Sequence, residues 1–191
     1  SQPESGPRPM HLEPSGASRS TPLSTHFAPV PIDQVTEERA TGTLYSSAMT
    51  LRTDVTVAAI VQWDHRFLLV EERASRRVVL NQPAGHLEAG ESLFEAVVRE
   101  ALEETAWRFT PETLTGVYLW KNPANGRAFL RVAFAGRVDG FCADRPLDHG
   151  ILRTLWLTRS ELAECQERHR SPLVLRCVDD FLAGRRFPLE V

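Results

Sequence analysis

The chain has 191 residues, 42% of them hydrophobic and 25% charged, which is enough apolar material for a packed core and excludes a wholly disordered or fibrous protein. Its net charge of −3, from 22 basic and 25 acidic residues, argues against a broad nucleic-acid surface. The longest apolar run, Val55 to Val61, is interrupted at Thr56 and falls far short of the roughly 20 residues a membrane span needs. No signal-peptide pattern opens the sequence, so neither nucleic acid nor membrane is expected as a partner. Cys142, Cys165 and Cys177 are odd in number and lack C-x-x-C spacing. They suit a reducing cytoplasm better than a disulfide scaffold or a zinc site.

Seven of the 13 prolines fall between Pro3 and Pro31, among repeated Ser, Gly and Thr, with no sustained apolar period. Residues 1–48 therefore read as a disordered Pro/Ser-rich extension, and 49–191 as the folded domain. Val55 to Gln62 and Arg66 to Glu72 read as strands, and Val78 to Leu80 continue the sheet. Asn81 to Gly90 is a loop, and Ser92 to about Thr105 is the clearest helix. Thr115 to Lys121 and Ala128 to Val138 read as strands joined at Asn125-Gly126, a hairpin signal. Ile151 to Leu157 is a further strand, followed by helices at about Arg159 to Glu167 and Pro172 to Ala183. A mixed sheet flanked by helices, an α/β sandwich, is the expected fold class.

The Ser92 helix carries the chemical signal. Ser92 and Glu95 form an S-x-x-E capping box that sets its start. Phe94, Val97, Val98, Ala101 and Leu102 gather on one arc, the buried face. Glu100, Glu103 and Glu104 crowd a second arc about 100° wide, which we read as solvent-directed. Arg99 cannot neutralise three carboxylates, so the cluster costs stability unless a hard cation such as Mg²⁺ sits there. Glutamate-rich helix faces are usually only solvated; the glycine-bearing loop Gly85 to Glu91 directly before the helix shifts the balance towards a metal. Gly85 to Ser92 also mimics a P-loop, but Glu91 stands where that motif needs lysine.

With Gly85, Glu91, Arg99, Glu100, Glu103 and Glu104, the chain resembles the Nudix hydrolases, whose box reads G-x5-E-x7-R-E-U-x-E-E-x-G-U. It departs at Ala106, where the box has Gly, and at Trp107, bulkier than the usual aliphatic. If the helix ends at Ala106 in a left-handed residue, alanine costs about 1 kcal/mol there and glycine is expected to stabilise. Neither departure removes a metal ligand. The resemblance implies a Nudix-type α/β/α sandwich with a mixed sheet, and Glu100 and Glu104 as principal Mg²⁺ ligands, with Mn²⁺ an alternative ion. Glu103 would support them, and the Gly85 carbonyl would bind metal. Arg99 would orient the carboxylates through Glu91. The base is open between Glu103 and Asp148.

Segments including Asn81 to Glu88, Phe129 to Arg131, Ser171 to Val174 and Phe187 to Glu190 are similar to a bacterial phosphatase branch of the family. That likeness implies hydrolysis of a small-molecule diphosphate, with phosphate released from the pyrophosphates of hydroxymethylpyrimidine and thiamine and from some nucleoside di- and triphosphates. Alternatives are a pyrophosphohydrolase of nucleotide sugars, ADP-ribose or dinucleoside polyphosphates, and a non-catalytic ligand-binding regulator. Gln82 and His86 flank the box loop, with substrate contact or a structural role both open. Arg131, among apolar strand neighbours, must line a cleft or be paired, and a phosphate contact is one reading. Trp120 either stacks on a pyrimidine ring or packs in the core. Nothing in the sequence sets the oligomeric state.

Overall fold

The computed structural model describes residues 53–74 and 76–189; the expected extension 1–48 lies outside them. Strand β1 (Thr53–Trp63) is the spine. It pairs antiparallel with β2 (Arg66–Ala74) at its far end and with the short β4 (Ala84–His86) near its start, and parallel with β6 (Ala128–Phe141) along its other edge. β3 (Arg77–Asn81) and β7 (Ile151–Thr158) flank β2, and β5 (Trp107–Lys121) closes the opposite edge against β6. The sheet is mixed, as expected.

Helix α1 (Leu93–Thr105) covers one face; α2 (Arg159–Glu164) and α3 (Leu173–Leu182) cover the other. Alternate residues of β1 serve the two cores: Val57, Ala59 and Val61 meet α1, whereas Ala58 and Ile60 meet α3. A strand covered on both faces has no polar side there, which explains the continuous apolar stretch from Val57 to Val61. Among the described residues no helix is long and apolar enough to cross a membrane.

Four details depart from the expected elements. Residues 84–86, read as loop, form β4, because their backbone completes the free edge of β1. β5 begins at Trp107, eight residues earlier than expected, and tolerates Pro111 because it is an edge strand with bulges. α2 stops at Glu164 and continues as a 3-10 turn, Gln166–Arg168. The β5–β6 turn is longer than an Asn-Gly two-residue turn: Asn122 N–H donates to the Arg127 carbonyl, so Trp120 pairs with Phe129.

α1 starts at the expected capping box, with Glu95 N–H donating to Ser92 Oγ and Ser92 N–H to the Glu95 carboxylate. It ends at Ala106, which is left-handed at φ 58°, ψ 11° and donates to the Leu102 carbonyl at 2.9 Å. Its methyl is buried, worth about 0.8 kcal/mol. That offsets much of the roughly 1–2 kcal/mol of left-handed strain. Ala106→Gly should therefore shift stability by less than about 1 kcal/mol, smaller than the sequence suggests. Ala106→Val, β-branched at positive φ, should lose more than about 2 kcal/mol in thermal denaturation.

Candidate active site

The loop entering α1 and the polar side of α1 are tied together by one side chain. Arg99 grips Glu91 in a bidentate pair, Nε to Oε2 at 3.0 Å and Nη2 to Oε1 at 2.7 Å. It also donates to Glu100 Oε1 at 2.8 Å, to Glu103 Oε2 at 3.1 Å and to the His86 carbonyl at 3.1 Å. Glu91 in turn accepts the Glu88 N–H at 2.7 Å, so the loop folds around this pair. The hydrogen bonds from Arg99 and Glu88 hold the Glu91 carboxyl below its usual range, and the Glu91 bond raises the Arg99 guanidinium. Glu95 serves only the helix cap.

Glu104 is not solvent-directed, contrary to the helical-wheel reading. It is buried against β4, where Ala84 N–H donates to its Oε2 at 2.8 Å. Strand β4, absent from the expected elements, is what covers that arc of the helix. Burial pushes the Glu104 carboxyl up to about 9 from an ordinary 4.5, and raises Glu100 in the same direction despite the Arg99 bond. Gly85 sits directly on Glu100: a Cβ there would lie 2.0 Å from Oε1 and 2.1 Å from Cδ. Glycine is needed for close approach, not for a special φ.

Glu100, Glu104, Gly85 and Asp148 border one end of a cleft of about 1010 Å³. Among the described residues no three His, Cys, Asp or Glu side chains converge as a ready-made metal cage, because Arg99 holds Glu100 and Ala84 holds Glu104. The available donors are nonetheless all oxygen, from two carboxylates and the adjoining β4 backbone, and suit a hard divalent cation. Glu103 stands outside the cleft lining, held by Arg99 and, at 3.8 Å, by Arg145. Asp148, the other candidate base from sequence, lines the cleft and is anchored by its N–H to the Glu103 carbonyl.

The remaining residues divide. Gln82 is fully enclosed and absent from the cleft lining: its Nε2 donates to the Val174 carbonyl and its Oε1 accepts from Arg131, so its burial keeps it from a substrate. Arg131 forms part of the cleft floor but is buried, held by Gln82 and Asn81 oxygens at 3.2 Å each. His86 is exposed on the rim. Trp120 lies on the wall, ring-stacked on Phe129 with centroids 5.8 Å apart and planes 27° apart, while still packing against the α3-side core. Phe129 was missed: the Asn125-Gly126 turn expected from sequence would set it opposite Asn122, whereas the longer turn sets it opposite Trp120.

Two outcomes follow from this geometry. Gly85→Ala displaces only the far end of the flexible Glu100 side chain, so Tm should move by less than about 3 °C while turnover falls on the order of 100-fold. A carboxyl whose folded pKa is raised stabilises the fold at low pH and loses that contribution as pH rises. Metal-free protein should therefore lose stability between about pH 5 and pH 9. Glu104→Gln, which keeps an acceptor for Ala84 N–H, should flatten that slope in thermal melts.

A family model described as the NUDIX domain matches residues 51–177. Phosphatase NudJ of Escherichia coli (strain K12) is 38% identical over 137 residues, spanning 72% of this chain and 88% of that protein. A NUDIX hydrolase from Nitrosomonas europaea superposes with TM-score 0.71 at 48% identity, covering 73% of this chain and 95% of that one. A MutT NUDIX hydrolase from Burkholderia pseudomallei, 20% identical over 68% of this chain and 98% of its own, shares the fold at TM-score 0.58. With Glu91, Glu100 and Glu103 tied to Arg99 and with Gly85, Glu100 and Glu104 bordering the cleft, the chain belongs to the Nudix hydrolase family of enzymes.

Proposed function

We propose that the chain is a Mg²⁺-dependent, NudJ-like phosphatase that releases phosphate from hydroxymethylpyrimidine and thiamine pyrophosphates and from nucleoside di- and triphosphates. The observation that carries the reading is the placement of Glu100, Glu104 and Gly85 at one end of a cleft whose wall is the Trp120–Phe129 pair. Glu100 and Glu104 would hold the metal beside the Gly85 carbonyl, Mn²⁺ serving as well as Mg²⁺. When bound, the cation neutralises diphosphate charge and acidifies water. Arg99 and Glu91 orient the carboxylates. Asp148, in the cleft lining, would take the proton as water adds to the terminal phosphorus; the bridging P–O bond breaks and the rest of the substrate leaves with one phosphate fewer. His86 on the rim and Arg131 in the floor contribute positive or donor groups to the phosphate path.

The three cysteines are unpaired, and the reducing cytoplasm is the compartment we assign. The decisive assay is phosphate and pyrophosphate release over a panel of hydroxymethylpyrimidine pyrophosphate, thiamine pyrophosphate, nucleoside di- and triphosphates, ADP-ribose and a diadenosine polyphosphate. Inorganic phosphate should appear from the first members and be lost with EDTA and in Glu104→Gln. Turnover confined to ADP-ribose or dinucleotides would replace the substrate assignment. Unchanged turnover in Glu104→Gln would overturn the metal assignment.

A further inference from the structure

The cleft continues past the aromatic pair. Beyond Trp120 a second chamber of about 610 Å³ opens between the β5–β6 turn and the start of α3, and it shares Arg77, Trp120, His169 and Arg170 with the first. Its walls carry the guanidinium groups of Arg77, Arg170 and Arg176 against one carboxylate, Asp179. Asp179 is already bound by Arg159 at 2.9 Å, and Arg176 is matched by Asp180 at 3.0 Å. Arg77 is tied to the main-chain carbonyl of Glu167 at 2.6 Å rather than to a carboxylate. Arg170 meets Glu72 loosely, at 3.8 Å. The surplus positive charge of the chamber therefore rests on Arg77 and Arg170, beside the ring of Trp120.

We infer that this chamber is a leaving-group subsite that filters by charge: it accepts a neutral, acceptor-rich aromatic ring and repels a cationic one. The inference rests on the first cavity being the hydrolytic cleft. Two effects oppose each other here. The Trp120–Phe129 pair attracts a cationic ring through its π faces. However, the Phe129 ring already carries the Arg127 guanidinium, 5.6 Å from its centroid. A cationic ring would add a further positive charge next to Arg77 and Arg170, both exposed, where like-charge repulsion is modest and sensitive to salt. Donor-rich guanidinium groups instead favour ring nitrogens and carbonyls that accept hydrogen bonds.

Thiamine pyrophosphate and 3-deazathiamine pyrophosphate test this directly, since they share shape and diphosphate but differ by the thiazolium charge. At low ionic strength with Mg²⁺, the neutral analogue should have a KM at least threefold lower at similar kcat. That ratio should shrink in Arg77→Gln/Arg170→Gln and in high salt. Equal or lower KM for thiamine pyrophosphate, or a ratio unmoved by the substitutions, overturns the filter. Both arginines are exposed, and the comparison in the unaltered protein stands without either variant. Calorimetric binding of the two corresponding monophosphates to metal-free protein must follow the same order. Hydrolysis with the order reversed would reject the filter and keep the phosphatase reading. Binding in the expected order without hydrolysis would do the opposite.

Discussion

The site depends on one guanidinium. Arg99 satisfies a bidentate pair with Glu91 and single bonds to Glu100, Glu103 and the His86 carbonyl. Four otherwise repelling or orphaned groups on three pieces of chain thus acquire a common partner: the end of β4, the glycine loop and α1. Removing one partner from a partly buried charge cluster is costly chiefly because the remaining charges lose compensation. The Glu91 bond fixes the planar fork, and the fork presents Glu100 to the cleft rather than to solvent.

The sheet supplies the other half of the constraint. β1 pairs through Thr56 with His86 on one side and Arg131 on the other, so the glycine loop before α1 and the aromatic wall are carried by neighbouring strands. β4 is only three residues long, yet it places Ala84 N–H on Glu104 and the Cα of Gly85 against Glu100. Burial of Glu104 is unfavourable for the ionised form, so a divalent cation bound there would have to displace its proton.

Local signals were the legible ones. The capping box is determined within a few residues, so the sequence carries it unaided; the left-handed end at Ala106 was expected only through the box glycine of the family it resembles, and the structure has it. A second capping box, Thr158 with Glu161, was equally readable and went unread. What was not legible depends on distant partners. β4 exists because β1 has a free edge, and without β4 the Glu104 arc looks solvated. Gln82 looked like a substrate contact because its neighbours match a phosphatase loop. Its fate was decided by the Val174 carbonyl on α3, 92 residues away. Trp120 posed ring stacking or core packing as alternatives, and the structure packs it against the α3-side core while leaving it in the cleft lining.

Anomalous diffraction from a crystal grown with Mn²⁺ tests the central claim most directly. The account predicts a peak bounded by Gly85 O and the carboxylates of Glu100 and Glu104, with Glu91 still gripping Arg99. A peak elsewhere in the cleft, or none with Glu100 still bonded to Arg99, would contradict it.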